Sequence, residues 1–388
     1  MNVSAYIDLC KRLHLAWCEI SCYWLKLELL GEGHALRADL DMGKSGQPRA
    51  SGKRPSSPTL EDVARMSRVS TATVSRCLNN PSQVSEATRE QVLKAVNALG
   101  YAPNFGARAL AAKRTNTFGA IIPTMDNAIF ARGLQAFQEE LGRHGVTTLV
   151  ASSSYSPELE EEQIRALVAR GADALLLIGH DRTEKSYAFL EQHQIPYVVA
   201  WTFNKDQARP SIGFDNRKAM ASLTEHVLRQ GHRRIALVSA PKSGNDRARE
   251  RCDGVHDAMM ANGLEPADLV VIETPYSISN GAKAFERLME QTNRPTAVLC
   301  GNDVLAAGAL TMANKLGVDV PGEVSITGFD DIEIAEIVSP ALTTVHVPHR
   351  NMGAGAAKLL VGMRNGASGA TRIELQADIK LRASLGPV

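Results

Sequence analysis

The chain has 388 residues, 44% apolar and 22% charged, with a net charge of +1. That is too long for one ordinary core, so two or three domains of a soluble globular protein are expected. The totals alone predict no nucleic-acid partner, and no run of the roughly 20 apolar residues needed to span a bilayer occurs.

The charge is unevenly spread. Residues 42–117 hold twelve basic and four acidic residues, a surplus of eight positive charges, and the rest of the chain is net negative by seven. A basic block ahead of a mildly acidic body predicts a polyanion-binding module joined to something else. Six cysteines stand at 10, 18, 22, 77, 252 and 300 without zinc-type spacing, as expected of reduced thiols; no metal or cofactor is predicted.

In chain order, residues 1–57 form a non-conforming extension and linker. Its apolar stretch, 13–30, is interrupted by Glu19, Lys26 and Glu28, and "GKSGQPRASGKRPSSP" has linker composition. Disorder, or a mis-assigned start with Met42 as the true beginning, is expected there. Three short helices follow. Thr59 caps the first, with Asp62 completing a capping box, and Val63 and Ala64 face inward. Ser70 caps the second, with Val74 and Leu78 inward, and Asn79-Asn80-Pro81 ends it. Ser85 caps the third, Val92, Val96 and Leu99 share a face, and Gly100 stops it.

Beyond Thr117 the pattern changes. "FGAIIP", "VTTLVAS", "ADALLLIG", "PYVVAW", "SIGF", "RRIALVS", "DLVVIET", "TAVLCG" and "VSITGF" are β-rich runs separated by helix-length amphipathic segments such as 130–144 and 215–230. Alternation of this kind predicts parallel sheets built from βαβ units. Nine or ten strands suit two doubly wound lobes with a cleft at the strands' carboxyl ends.

"TLEDVARMSRVSTATVSRCLNNPSQVSEATREQVLKAVNALGYAPN" therefore reads as helix, tight turn, helix and a supporting third helix. In a helix-turn-helix the second helix enters the major groove with its first residues at base edges. Short hydroxyls and free backbone N–H groups at such a helix start suit phosphate. Arg76, a turn further along, has the fork needed for guanine O6 and N7.

This stretch resembles the DNA-binding domain of the lactose/galactose repressor (LacI/GalR) family. "IIPTMDNAIFARGLQAFQEEL", "GFDN", "GHRRIALVS", "RCDG", "CGNDVLAAGAL", "VPGEVSITGFDD" and "PALTTVHVP" extend the resemblance to the C-terminus. Arg68 departs from it, standing where the family commonly has Gly. The resemblance implies an all-α helix-turn-helix domain at 58–103, a hinge helix and linker at 104–116, and an effector-binding and dimerisation core at 117–388. That core is similar to periplasmic sugar-binding proteins, with one lobe at about 118–214 and 347–375 and the other at about 215–346 and 376–388.

By the same resemblance Thr71, Ala72 and Arg76 read bases, Ala72 only through apolar contact. Thr59, Ser70, Thr73, Ser75, Asn79, Ser85 and Thr88 touch phosphate. Asn104, Ala107, Leu110 and Ala111 form a minor-groove hinge with Leu110 as its wedge. Phe130, Trp201, Arg251, Tyr276, Asn302 and Asp330 line the effector site. The implied partners are operator duplex, a small effector and a second copy of the chain, with no membrane. A cytoplasmic repressor of a carbohydrate or sugar-acid operon is expected, nucleoid-associated when on DNA. A purine or other metabolite sensor is the alternative. An enzyme is remote, because no G-x-G-x-x-G, Walker loop or nucleophile elbow occurs.

Overall fold

The computed structural model describes residues 57–102, 114–367 and 371–388. The chain divides into two compact units, between Tyr101 and Ala102. The expected hinge contacts at Asn104, Ala107, Leu110 and Ala111, and nearly all of the extension at 1–57, lie outside the described residues.

The first unit holds α1 (Leu60–Met66), α2 (Thr71–Asn79), a 3-10 turn (Pro81–Gln83) and α3 (Glu86–Leu99). Thr59 and Asp62 form the reciprocal capping box, and Ser70 and Ser85 each accept a backbone N–H three residues on. The core is small: Val63, Ala64, Val74, Cys77, Val92 and Ala95, with Val69 packed against it. The expectation for α2 is extended in one respect. Leu78, half-buried, packs against this core as expected, and Cys77, which the sequence reading left out, is buried in it. Both lie on the face of Val74, three and four residues on. Between α1 and α2, Arg68 sits at φ +50°, the left-handed conformation that glycine adopts at less cost.

Among the described residues the second unit contains twelve strands, two more than the upper expectation. Five open the first lobe: β1 (Thr117–Ile122), β2 (Thr147–Ser152), β3 (Ala174–Ile178), β4 (Tyr197–Ala200) and β5 (Ser211–Gly213). Between them run α4 (Ala128–Arg143), α5 (Pro157–Ala169) and α6 (Glu184–Gln192). The second lobe alternates α7 (Asn216–Arg229), β6 (Ile235–Ser239), α8 (Asp246–Ala261), β7 (Val270–Glu273) and α9 (Ile278–Met289). It continues through β8 (Ala297–Cys300), α10 (Asp303–Leu316), β9 (Ser325–Thr327) and the short α11 (Ile334–Ile337). The chain returns through β10 (Thr344–His346), α12 (His349–Arg364), β11 (Arg372–Glu374) and β12 (Asp378–Lys380). The strands unread in the sequence are β10, β11 and β12.

Strand order is β11-β5-β4-β3-β1-β2 in one sheet and β7-β6-β8-β9 in the other, and every pair in both is parallel. β10 and β12 pair antiparallel where the chain passes between lobes. Three crossings join the lobes: after β5, between β10 and α12, and between β11 and β12. Among the described residues no helix is long and apolar enough to cross a membrane.

In the first lobe α4 and α12 pack so closely that a Cβ on Gly353 would collide with the Gly133 carbonyl. Gly353→Val should therefore lower stability by about 1–3 kcal/mol through overpacking. Gly142, in the last turn of α4 with nothing near its missing Cβ, is the control. Gly142→Ala should raise stability slightly, by less than about 0.5 kcal/mol. Thermal unfolding of the two variants checks both signs.

Candidate functional site

Two sets of residues qualify, one in each unit. On the first, Thr71, Ala72 and Arg76 are exposed along α2, whose first turn carries no acidic residue. Uncapped N–H groups and the helix dipole make such a turn attractive to anions. The flanking hydroxyls are held in pairs. Ser70 Oγ lies 2.9 Å from Thr73 Oγ1, Ser85 Oγ lies 2.8 Å from Thr88 Oγ1, and Asn79 Nδ2 donates to Ser75 Oγ at 3.3 Å. Thr59 differs: its hydroxyl donates to the Asp62 carboxylate at 2.9 Å, so a phosphate there would meet a negative neighbour.

On the second unit, the residues that follow the strands converge on a cleft between the lobes. An inner chamber encloses about 20 Å3, room for about one water molecule. An outer vestibule of about 500 Å3 lies next to it. Of the six residues expected from the sequence, Phe130, Trp201, Arg251, Tyr276 and Asp330 line the chamber. Asn302 lines the vestibule instead, together with Tyr276. Sequence reasoning missed Tyr155, Asn245 and Arg247 in the chamber wall. "RARER" was legible as a basic run on α8, but Tyr155 carried no such signal.

Tyr155 is placed by backbone conformation. Ser154 and Tyr155 both sit at positive φ, +51° and +61°. This turn after β2 carries the Tyr155 ring across the cleft to Tyr276, 6.3 Å between centroids and tilted 55°. Tyr155, Tyr276, Asn127 and Asn245 line both spaces and so partition them.

Arg251, buried on α8, donates to Asn216 Oδ1 at 3.1 Å and to the Tyr276 hydroxyl at 2.8 Å. Its guanidinium lies 4.8 Å from the Phe329 ring centroid. Asp330 is buried at φ +112°, and burial holds its carboxyl well above the usual range, though Arg251 pulls the other way. Trp201, at φ +64°, donates from Nε1 to His349 Nδ1 at 3.3 Å. Indole nitrogen only donates, so His349 Nδ1 accepts and its other nitrogen carries the proton. That Nε2–H donates to the Asp330 carbonyl at 3.2 Å. One neutral imidazole thus links a chamber residue of each lobe.

Other bonds hold the lobes together. Arg249 of the second lobe grips Asp181 of the first with two bonds, 2.7 and 2.9 Å. The Asp246 carboxylate accepts the His180 backbone N–H at 2.5 Å, and Arg132 meets Glu333 at 2.8 Å. Burial raises the Asp246 carboxyl, but Arg247 and the His180 N–H outweigh it and keep its pKa below the ordinary value.

Residues 59–104 match the family model described as bacterial regulatory proteins, lacI family, and residues 224–385 match a periplasmic binding protein-like domain. The chain is 31% identical over 307 residues to catabolite control protein A of Priestia megaterium, covering 79% of this chain and 92% of that protein. It is 34% identical over 308 residues to the HTH-type transcriptional repressor PurR of Vibrio atlanticus, covering 78% and 91%. Its fold is similar to that of the lac repressor dimer bound to operator and an anti-inducer, with a TM-score of 0.76, 26% identity, and 85% of this chain and 99% of that one covered.

Burial pushes His349 down to about 4 from 6.5. Unfolding lets it take up a proton, so its neutral burial costs nothing above about pH 6.5. Stability is then lost as pH falls from 6.5 toward 4. His349→Gln should reduce that loss by roughly 2 kcal/mol at pH 4.5. Urea unfolding at pH 7.5 and 4.5 measures it, and parallel losses in both proteins would remove His349 as the cause.

Proposed function

This chain belongs to the lacI family of bacterial regulatory proteins, and from that premise we propose which residues read DNA and which hold an effector. It is a DNA-binding transcriptional regulator. Residues 58–103 serve as the DNA-binding domain, 104–116 as the hinge, and 117–388 as the effector-binding and dimerisation core. The observation that carries this reading is the exposed, capped start of α2, which offers Thr71, Ala72 and Arg76 inside the segment matched to the family.

Thr71 and Arg76 read base edges, and Ala72 contributes contact or clearance. Ser70, Thr73, Ser75, Asn79, Ser85 and Thr88 position the phosphates, with Thr59 the weakest member because Asp62 occupies its hydroxyl. Asn104, Ala107, Leu110 and Ala111 complete the contacts from the minor groove; their assignment rests on the resemblance. One short recognition helix covers few base pairs, so two copies on a pseudo-palindrome are needed for specificity. The lac repressor, similar in fold, is a dimer on its operator. A target on DNA places the working protein in the bacterial cytoplasm. The relatives are regulators, which favours a sensor over an enzyme.

In the core, Phe130, Trp201, Arg251, Tyr276 and Asp330, with Asn302 at the entrance, hold a small metabolite between the lobes. The inner chamber as it stands has no room for one. Binding therefore requires the ties between Arg249 and Asp181 and between Arg132 and Glu333 to open and re-form. Ligand changes DNA affinity only to the extent that it binds one lobe arrangement better than another. The operon controlled is one of carbohydrate or sugar-acid use.

Selection from randomised duplexes should return a pseudo-palindrome. On it Arg76→Ala should lose about 1–3 kcal/mol while binding to random DNA holds nearly constant. Equal losses on both would reduce Arg76 to a phosphate contact. Affinity should fall steeply with salt. A chain that shows no preference among duplexes contradicts the proposal.

A further inference from the structure

The first lobe has a hollow of about 330 Å3 at the opposite pole from the cleft. Arg114 comes to it from just ahead of β1, Asp173 from just ahead of β3 and Pro196 from just ahead of β4. Met363 and Arg364, the last residues of α12, complete the wall. The cleft lies at the other end of the same strands, and β1 alone, with six residues, is about 20 Å long. The two spaces are therefore separate, and the volume is at the small end of the range for ligand pockets.

Two guanidiniums and one carboxylate line the hollow, a net charge of one positive. The carboxylate is already engaged: Asp173 accepts the backbone N–H groups of Thr115 at 3.1 Å and Asn116 at 2.8 Å. Arg364 donates from one terminal nitrogen, Nη1, to Asn116 Oδ1 at 3.2 Å, and its Nε–H is buried with no acceptor. The edge formed by Nε and Nη2 is the one that matches both oxygens of a carboxylate. Its guanidinium also lies 5.2 Å from the Phe118 ring centroid, which limits where it can move. Arg114 is exposed at the rim.

The helix ends decide how much negative charge suits this place. α5 and α12 both finish here, and a helix C-terminus favours a nearby cation by about 0.3–1 kcal/mol. That accounts for part of the attraction of arginine to this pole, and it opposes a dianion. The carbonyls of Val168 and Met363 accept the N–H groups of Gly171 and Gly366, so they do not compete for the guanidiniums. Much of the remaining wall is apolar, with Ile195 and Met363 half-buried.

We infer that this hollow is a second ligand site, for a monocarboxylic acid with a compact apolar body, an aromatic acid of benzoate size. The carboxylate meets the Nε–Nη2 edge of Arg364 and the guanidinium of Arg114. The ring lies against Ile195, Pro196 and the Met363 thioether. One negative charge balances the wall. A phosphate monoester brings more charge than the wall and the helix ends accept. A neutral alcohol leaves both arginines without a counter-charge, and acetate leaves the apolar wall in water. The inference uses neither the cleft nor the DNA assignment, so its failure leaves both standing.

The test titrates the full chain calorimetrically with benzoate, acetate, phenyl phosphate and benzyl alcohol. Benzoate should bind at least tenfold more tightly than each of the other three. Arg364→Gln and Arg114→Gln should each weaken benzoate at least fivefold, and the exposure of Arg114 means that its replacement leaves the core intact. Location is read from protein carrying 13C-methyl methionine. The Met363 resonance, assigned with Met363→Leu, should move on adding benzoate, while that of Met352, buried three turns earlier on α12, should not. A shift confined to other methionines places benzoate elsewhere and overturns the inference. It is also overturned if benzoate does not bind, if any of the other three probes binds as tightly, or if both arginine variants keep full affinity.

Discussion

The constraint on which everything else depends is that both parallel sheets direct their carboxyl ends at one cleft. Asn127 follows β1, Tyr155 follows β2, Trp201 follows β4, Tyr276 follows β7, Asn302 follows β8 and Asp330 follows β9. None of these residues is near another in sequence except through the topology. Right-handed βαβ connections place loops at that end of each sheet, and the three crossings hold the two ends face to face. A site assembled in this way is rigid within each lobe and adjustable between lobes.

The links between the lobes and the site share residues. His349 begins α12 and bonds Trp201 in one lobe and the Asp330 backbone in the other. α12 has 16 residues, so it is about 24 Å long. At its far end Arg364 donates to Asn116 at 3.2 Å, just ahead of β1. The close packing of α12 on α4 through Gly133 and Gly353 leaves little freedom for either helix to shift independently. α12 thus ties Trp201 and the Asp330 backbone at one end to the start of β1 at the other.

What the sequence makes legible follows local pattern. The nine runs read as strands all appear as β1 to β9, because each is a β-rich apolar run flanked by helix-length amphipathic segments. β10, β11 and β12 have three residues each and take their conformation from neighbours rather than from local propensity. The same limit applies to the site. Arg251 and Asp330 sit within recognisable motifs, and the structure brings them to one chamber. Tyr155 is invisible from sequence because its position depends on two consecutive non-glycine residues at positive φ. Cys77 is the α2 core member that the sequence reading left out; it joins Val74 and the half-buried Leu78 on one face.

The central claim is that the angle between the lobes governs DNA affinity, and it can be tested without knowing the effector. Asp181 and Arg249 face each other across the cleft. Both are replaced by cysteine in the full chain and joined by a short bismaleimide, with the two single replacements and the unaltered chain, which carry the same six native cysteines, treated in parallel as controls. The account predicts that bridging changes affinity for the selected operator at least tenfold, in either direction, while the controls stay constant. Equal operator affinity for bridged and unbridged protein would contradict it.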